Sequence, residues 1–279
     1  MRLLEILLSL ANLLAFFVVA LPLPRRVFWM RYWVPLVLLI VVAQVLAEGP
    51  RWQMVPAYAL TGLFSLVWLL QNSLPAGGPT AHILTNRLVM GLGVGLGGLG
   101  LVIAIALPII LPVFRFPKPS GPYAIGTVTY HWVDASRPEV FSTDPNAQRE
   151  LMVQIWYPAK PGAASAQSPY LQDSDAVTTA LARLHNVPDF AFQHLTYVTT
   201  RAAETMPVAD DMPSYPVLIF LEGLTGYRQM NTFQVEELVS HGYIVVGIDQ
   251  PGAAATVVFP DRHQITGLSK AQMEPLTQQ

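Results

Sequence analysis

Apolar residues fall along this chain in two distinct patterns. Up to about residue 113 they come in long runs almost free of charge, covering residues 3–21, 33–47, 54–70 and 88–113. A helix needs roughly 20 apolar residues to cross the hydrocarbon layer of a bilayer. The first, third and fourth runs meet that length. The second does so if it starts near Val27 and keeps Arg31 at the interface. Four such runs are hard to bury in one small soluble core, so the pattern predicts four membrane-spanning helices. A secretory signal is the alternative for the first run. Against it, Glu5 occupies the would-be basic region, no small-x-small cleavage pattern follows, and three more runs come after. Phe28, Trp29, Tyr32, Trp33, Trp52 and Tyr58 flank the runs, as aromatic residues do at headgroup level.

Beyond a proline-rich exit (residues 115–122) the apolar runs shorten and alternate. Residues 123–133 read as a strand carrying Ile125, Val128, Tyr130 and Trp132. Residues 149–157 read as a second, with Leu151, Val153, Ile155 and Tyr157. The Asp-, Ser- and Pro-rich stretch 134–146 between them predicts a loop or wide hairpin, and so an antiparallel edge to a sheet. Residues 160–168 read as a loop. A helix is expected over 175–184, capped by Ser174 or Asp175, and Pro207, Pro213 and Pro216 limit regular structure over 188–215.

Residues 216–221 are an apolar run suited to a buried strand, 222–226 a Gly-rich loop, 233–241 a helix and 242–249 a second buried strand. That order makes a right-handed parallel unit with its loop at the strand tips, where α/β sheets place ligands. The expected layout is a four-helix membrane region (1–114), a linker (115–122) and the first part of an α/β domain (123–279). No Gly-x-Ser-x-Gly follows the unit, so the chain is expected to be truncated before the nucleophile such a core carries.

Charge sharpens this division. Residues 1–120 hold eight Lys/Arg against two acidic residues, whereas 121–279 hold eight against sixteen. The two parts therefore suit two environments. The acidic part argues against a nucleic-acid partner, which needs clustered cations. The absence of cysteine excludes disulfides, a thiolate nucleophile and Cys-ligated metal. His185, His194 and His263 lack metal-ligand spacing, and no cofactor is expected. Lys and Arg divide four against four across the predicted membrane. Arg25, Arg26 and Arg31 crowd the first loop, which places loops one and three in the cytoplasm and the α/β part outside it.

Three motifs need weighing. Gly93-x-Gly95-x-x-Gly98 matches a dinucleotide fingerprint in letters, but it lies inside an apolar run and follows no strand. Close helix packing through Gly91/Gly95 and Gly93/Gly97, including oligomerisation through the fourth span, is the better reading, with generic membrane-helix glycine beside it. No ionisable residue is expected deep in a span, which weakens a transport role. Gly267-Leu268-Ser269-Lys270-Ala271 imitates a nucleophile elbow, yet residues 260–266 before it do not make a buried strand. Asp249, at a strand tip, reads as a turn residue.

Three segments together resemble the platelet-activating-factor acetylhydrolase family of α/β-hydrolases. They are Arg149 to Ala159 with its Ile155-Trp156-Tyr157-Pro158, Pro216 to Arg228 with its strand and Gly loop, and Leu238 to Val246 around His241-Gly242-Tyr243. The resemblance covers roughly residues 121–260 and leaves the helical part unaddressed. It implies a Ser-His-Asp hydrolase of short-chain or phospholipid-like esters. It also implies a backbone oxyanion donor at Leu224, with Gly223 and Gly226 letting the main chain approach substrate; an ordinary tight turn is the alternative for those glycines.

One residue departs from the family pattern: Glu222 stands where the family has His. An anion there opposes developing negative charge unless it is protonated, turned away or paired, for which Arg228 is the candidate. The expected function is a membrane-anchored serine ester hydrolase whose partners are the bilayer and a small ester or phospholipid. This chain alone is expected to be inactive, and its α/β part poorly soluble because an unfinished sheet leaves an apolar edge. The alternatives are a complete, non-catalytic four-span protein with a hydrolase-like binding domain, and a protein whose four spans are themselves the function.

Overall fold

The computed structural model describes residues 1–21, 25–73, 87–139, 146–160 and 166–268. The side chain of Phe28, loop residues 140–145 and 161–165, and Ser269 lie outside what is described. The chain forms two compact units, residues 1–113 and 114–279.

The first unit is a bundle of α1 (Leu3–Ala20), α2 (Trp33–Glu48), α3 (Val55–Ser73) and α4 (Arg87–Ile110), with a 3₁₀ segment at Arg25–Tyr32 before α2. Its core is built from Leu8, Ala15, Val34, Val37, Met54, Leu60, Phe64 and Leu101. The outward faces are apolar too: Leu39 is 66% exposed, Leu46 81% and Ile110 71%. A helix apolar on every side suits protein interior or lipid, and four helical segments, the second running Trp29–Glu48 with the end of the 3₁₀ segment, are long and apolar enough to cross a membrane.

One end of this bundle is polar and closed. Glu5, in the first turn of α1, is fully buried, and both its carboxylate oxygens accept from Arg51 at 2.7 Å. Arg51 also donates to the Leu111 carbonyl just past α4, at 2.8 Å. Arg2 donates from its backbone and side chain to Glu5 and reaches the Glu48 and Gly49 carbonyls at the end of α2. Glu5 and Arg51 are therefore a buried pair tying α1 to the turn before α3 and to the end of α4.

Of the α4 glycines expected to pack closely, only Gly97 does so within this chain. A Cβ added at Gly91, Gly93 or Gly95 would meet nothing within 4 Å. At Gly97 it would approach the Phe16 ring at 3.1 Å, and at Gly100 the Leu60 side chain at 3.2 Å. Within this chain, close approach occurs at Gly97 and Gly100, against side chains of α1 and α3.

The second unit contains β1 (Ala124–Pro138), β2 (Gln148–Ala159), β3 (Gln167–Pro169), α5 (Ser174–Leu184), β4 (Thr199–Glu204), β5 (Val217–Leu221), α6 (Thr232–Ser240) and β6 (Ile244–Asp249). The six strands form one mixed sheet in the order β3-β4-β1-β2-β6-β5. A two-stranded ribbon, β7 (Thr256–Val258) with β8 (Gln264–Thr266), follows. The parallel β5–α6–β6 unit is present as expected.

Several expectations are corrected. β1 and β2 are antiparallel but internal, because β4 pairs in parallel with β1 and carries β3 outside it. β4 lies in the stretch read as irregular. Its prolines lie outside the strand, Pro188 before it and Pro207 and Pro213 after it, so none removes a donor from it. β1 continues to Pro138, past the expected loop start. The residue preceding α5 is Asp173, and no side chain caps the helix. Residues 260–266 make no buried strand, as expected; 264–266 form only a short, largely exposed one paired with β7.

β5 is the largest departure. Its run Val217-Leu218-Ile219-Phe220-Leu221 reads as a buried strand, yet it is the sheet's outer strand, with Val217 58%, Ile219 67% and Leu221 57% exposed. α6 covers one face of the sheet, where Val235 and Val239 pack on Trp156, Val245 and Phe220. On the opposite face Tyr130 and Trp132 remain half exposed. Continuous apolar runs suit strands covered on both faces. The residues therefore carry a two-sided pattern of which the described structure covers one side.

The covered face holds a buried acid. Glu236 of α6 accepts from the Arg201 and Ala202 backbone amides of β4 at 2.6 and 3.0 Å, and its second oxygen has no hydrogen-bond partner. Burial raises its pKa to about 7, against the pull of those amides and of the Arg201 charge. The folded state therefore holds this proton at pH values where the unfolded chain, near 4.5, has lost it. Stability tied to that proton is fully present below about 4.5 and disappears as pH rises through about 7. A shift of this size corresponds to at most ~3 kcal/mol. Amide exchange of β4 and α6, corrected for intrinsic rate, is expected to show protection falling across that window. Glu236→Gln is expected to flatten the fall, and an unchanged slope would assign it to another group.

Candidate active site

The candidate site is the loop from Glu222 to Arg228, between the tip of β5 and α6. Its backbone is fastened to the segment after β6. The Thr225 amide donates to the Ala253 carbonyl at 2.7 Å, and the Ala255 amide donates to the Gly226 carbonyl at 2.8 Å. Thr225 sits at φ +62°, a left-handed conformation that is costly for a residue with a branched Cβ and persists only where neighbours enforce it. The Gly226 amide closes a tight turn onto the Gly223 carbonyl at 2.7 Å. A Cβ at Gly226 would stand 2.7 Å from that same oxygen, so only glycine fits.

Behind the loop, three consecutive side chains anchor it. The Tyr227 and Tyr170 hydroxyls are 2.8 Å apart. Arg228 is 4% exposed; its backbone amide donates to Asp249 at 2.6 Å, its guanidinium pairs with the same carboxylate, and it also reaches Gln172. Gln229 donates to Gln154, which in turn donates to Thr127 across the sheet. Burial raises the Tyr227 phenol, so it stays protonated over the physiological range.

What remains at the front is the Gly223–Leu224 stretch. Leu224 is 64% exposed, and the amides of Gly223 and Leu224 have no hydrogen-bond partner among the described residues. Gly223 has open space where a Cβ would be. Fixed, unpartnered N–H groups on a rigid turn can receive a negatively charged oxygen without reorganising. Of the three predicted backbone positions, Leu224 and Gly223 thus present free donors, while the Gly226 amide is consumed by the turn.

Glu222 is buried and turned inward. One oxygen accepts from the Gln250 amide at 3.0 Å, and the other is buried without a hydrogen-bond partner. Burial raises its pKa, and the nearby Asp249 charge adds to that, while the Gln250 amide and Arg228 oppose it. Arg228 pairs with Asp249 instead of Glu222, and Asp249, read as a turn residue, is the buried counter-ion that holds the loop. Sequence reasoning also missed Tyr170, Tyr227 and Gln229. The one available signal was the run Tyr227-Arg228-Gln229, three residues with polar groups placed directly after a Gly turn and before an apolar helix face.

A sequence model described as platelet-activating factor acetylhydrolase, isoform II, matches residues 110–274, more than half of the chain. The chain belongs to this family. Among solved structures, a ferulic acid esterase from Streptomyces cinnamoneus is 29% identical over 56% of this chain and 41% of its own, with a TM-score of 0.44. The chain thus spans about two fifths of that esterase's length. No curated protein matches the chain.

Proposed function

We propose that this chain is part of a membrane-anchored serine ester hydrolase acting on short-chain or phospholipid-like esters. The observation that carries the reading is the exposed, unpartnered Leu224 amide on a loop pinned from behind, in a chain of the acetylhydrolase family. In the reaction this amide stabilises the tetrahedral oxyanion, assisted by Gly223. The described residues hold no serine on a strand-to-helix elbow, so the nucleophile, acid and base belong to polypeptide outside them. The exposed edge of β5 and the uncovered sheet face favour that arrangement. α1 to α4 anchor the protein in the bilayer.

The test compares membranes of cells expressing the locus as encoded with membranes carrying Leu224→Pro, which removes the amide. Hydrolysis of a short-chain p-nitrophenyl ester and of an acetylated phospholipid is expected to fall about 10²–10³-fold. Equal rates in both would move the donor elsewhere.

A second reading, a hydrolase-like binding domain without catalysis, is favoured by Glu222. An acid in place of the family's His, with one oxygen lacking a hydrogen-bond partner, is poorly suited beside an oxyanion. Membranes with no more esterase activity than cells lacking the locus, and no labelling by a fluorophosphonate, would support it.

A further inference from the structure

We propose that the groove between α1, α3 and α4 is a binding site for one acyl chain of a lipid, whose polar end lies beside Gln71. The proposal rests on the reading of α1 to α4 as membrane-spanning.

The groove encloses about 260 Å³ and is lined by Phe16, Val19, Phe64, Val67, Gly93 and Val94, among others, with Gln71 the one polar side chain among the described residues. Its origin is the glycine pattern of α4. The second half of that helix packs tightly, with Leu101 and Ala104 buried and Gly100 against Leu60. In the first half, Gly93 supplies no side chain and a Cβ there would meet nothing within 4 Å. The helices are held together, but the side chains that would fill the space between them are missing.

Chemistry and size select the occupant. A water needs two to four polar partners, and this groove offers a single carboxamide. An unfilled apolar void forfeits the dispersion contacts of its lining. An engineered apolar cavity of about 150 Å³ binds benzene, so a larger groove open to hydrocarbon is expected to be filled by it. From Leu63 to Gln71 the groove runs along eight helical rises, about 12 Å. Its cross-section is then on the order of 20 Å², roughly 5 Å across, below the ~10–12 Å of a helix with its side chains. A partner helix does not fit, whereas a single aliphatic chain does. Gln71 lies near the end of α3 and is exposed, so polarity is placed at one end of the groove, as for a chain that carries a head group.

The test uses the full chain in phosphatidylcholine nanodiscs doped with phosphatidylcholine bearing a mid-chain diazirine. After irradiation, labelled residues are mapped by mass spectrometry. Labelling of Phe16 and of the buried Phe64 is expected in addition to that of outward residues such as Leu39 and Ile103. Gly93→Phe fills the groove and is expected to cut the Phe64 label roughly tenfold, the loss of about two buried methylenes, with outward labels unchanged. Gly91→Phe, which does not line the groove, is expected to leave all labels unchanged, and Leu63→Ala, which widens it, to raise the Phe64 label. Outward labels with none at Phe16 or Phe64, or equal Phe64 labelling in Gly93→Phe and wild type, would overturn the groove and leave the membrane reading intact. No label anywhere, with the chain extracted by alkaline carbonate, would overturn both.

Discussion

Arg51→Met is expected to destabilise the helical unit by about 3–5 kcal/mol, because it leaves the buried Glu5 carboxylate without its principal partner. The two side chains are 1% and 0% exposed, and two parallel bonds of 2.7 Å join them. Arg2 stays beside Glu5 and softens the loss, while the Leu111 carbonyl loses its donor and adds to it. The cost reflects an orphaned charge more than the worth of the pair. Replacing both partners, Glu5→Leu with Arg51→Met, is therefore expected to recover most of the stability. Equilibrium unfolding of the full chain in mixed detergent micelles, run as a double-mutant cycle, measures this. Single and double replacements that cost the same would show that the pair is not coupled. An Arg51→Met change below about 0.5 kcal/mol would show that the site is wet.

The same pair shows where sequence reasoning stops. The four helices were legible because each is a long run of one character, a property that needs no knowledge of neighbours. Glu5 and Arg51 were legible only as isolated charges near the ends of apolar runs, because they lie 46 positions apart and nothing local announces the pairing. The parallel β5–α6–β6 unit was legible for the same reason as the helices: its punctuation is local. β4 was lost among prolines that lie on either side of it. The placement of β5 was misjudged because apolarity reports what a strand is suited to, not whether a neighbour covers it. At the candidate site, the position of Leu224 came from family resemblance. The reason its amide is left over, a turn closed by Gly226 and a loop stitched to residues 249–255, is tertiary and could not be read from spacing.

The loop's dependence on its counter-ion gives the other large effect. Asp249→Asn keeps the shape of the side chain but leaves the Arg228 guanidinium buried, 4% exposed, without its ion-pair partner. A loss of about 3–5 kcal/mol is expected, concentrated where the pair acts. Arg228 ends the segment that positions Gly223 and Leu224, and Tyr227 and Gln229 on either side hold only neutral hydrogen bonds. A neutral bond contributes about 1 kcal/mol net, so these cannot replace the ion pair. Exchange of the Thr225 and Gly226 amides, bonded to Ala253 and Gly223, is expected to accelerate by roughly 10²–10³-fold, while the amides of β1 and β2 change far less. Arg228→Met with Asp249→Leu is expected to restore part of that protection, because the buried charge is gone while the backbone amide of residue 228 still lacks the acceptor that Asp249 supplied. If Asp249→Asn accelerated exchange equally across the sheet, the pair would support the fold as a whole and the loop would owe its shape to the turn alone. Acceleration confined to residues 222–228 would make Asp249 the residue that sets the geometry of the proposed oxyanion donor.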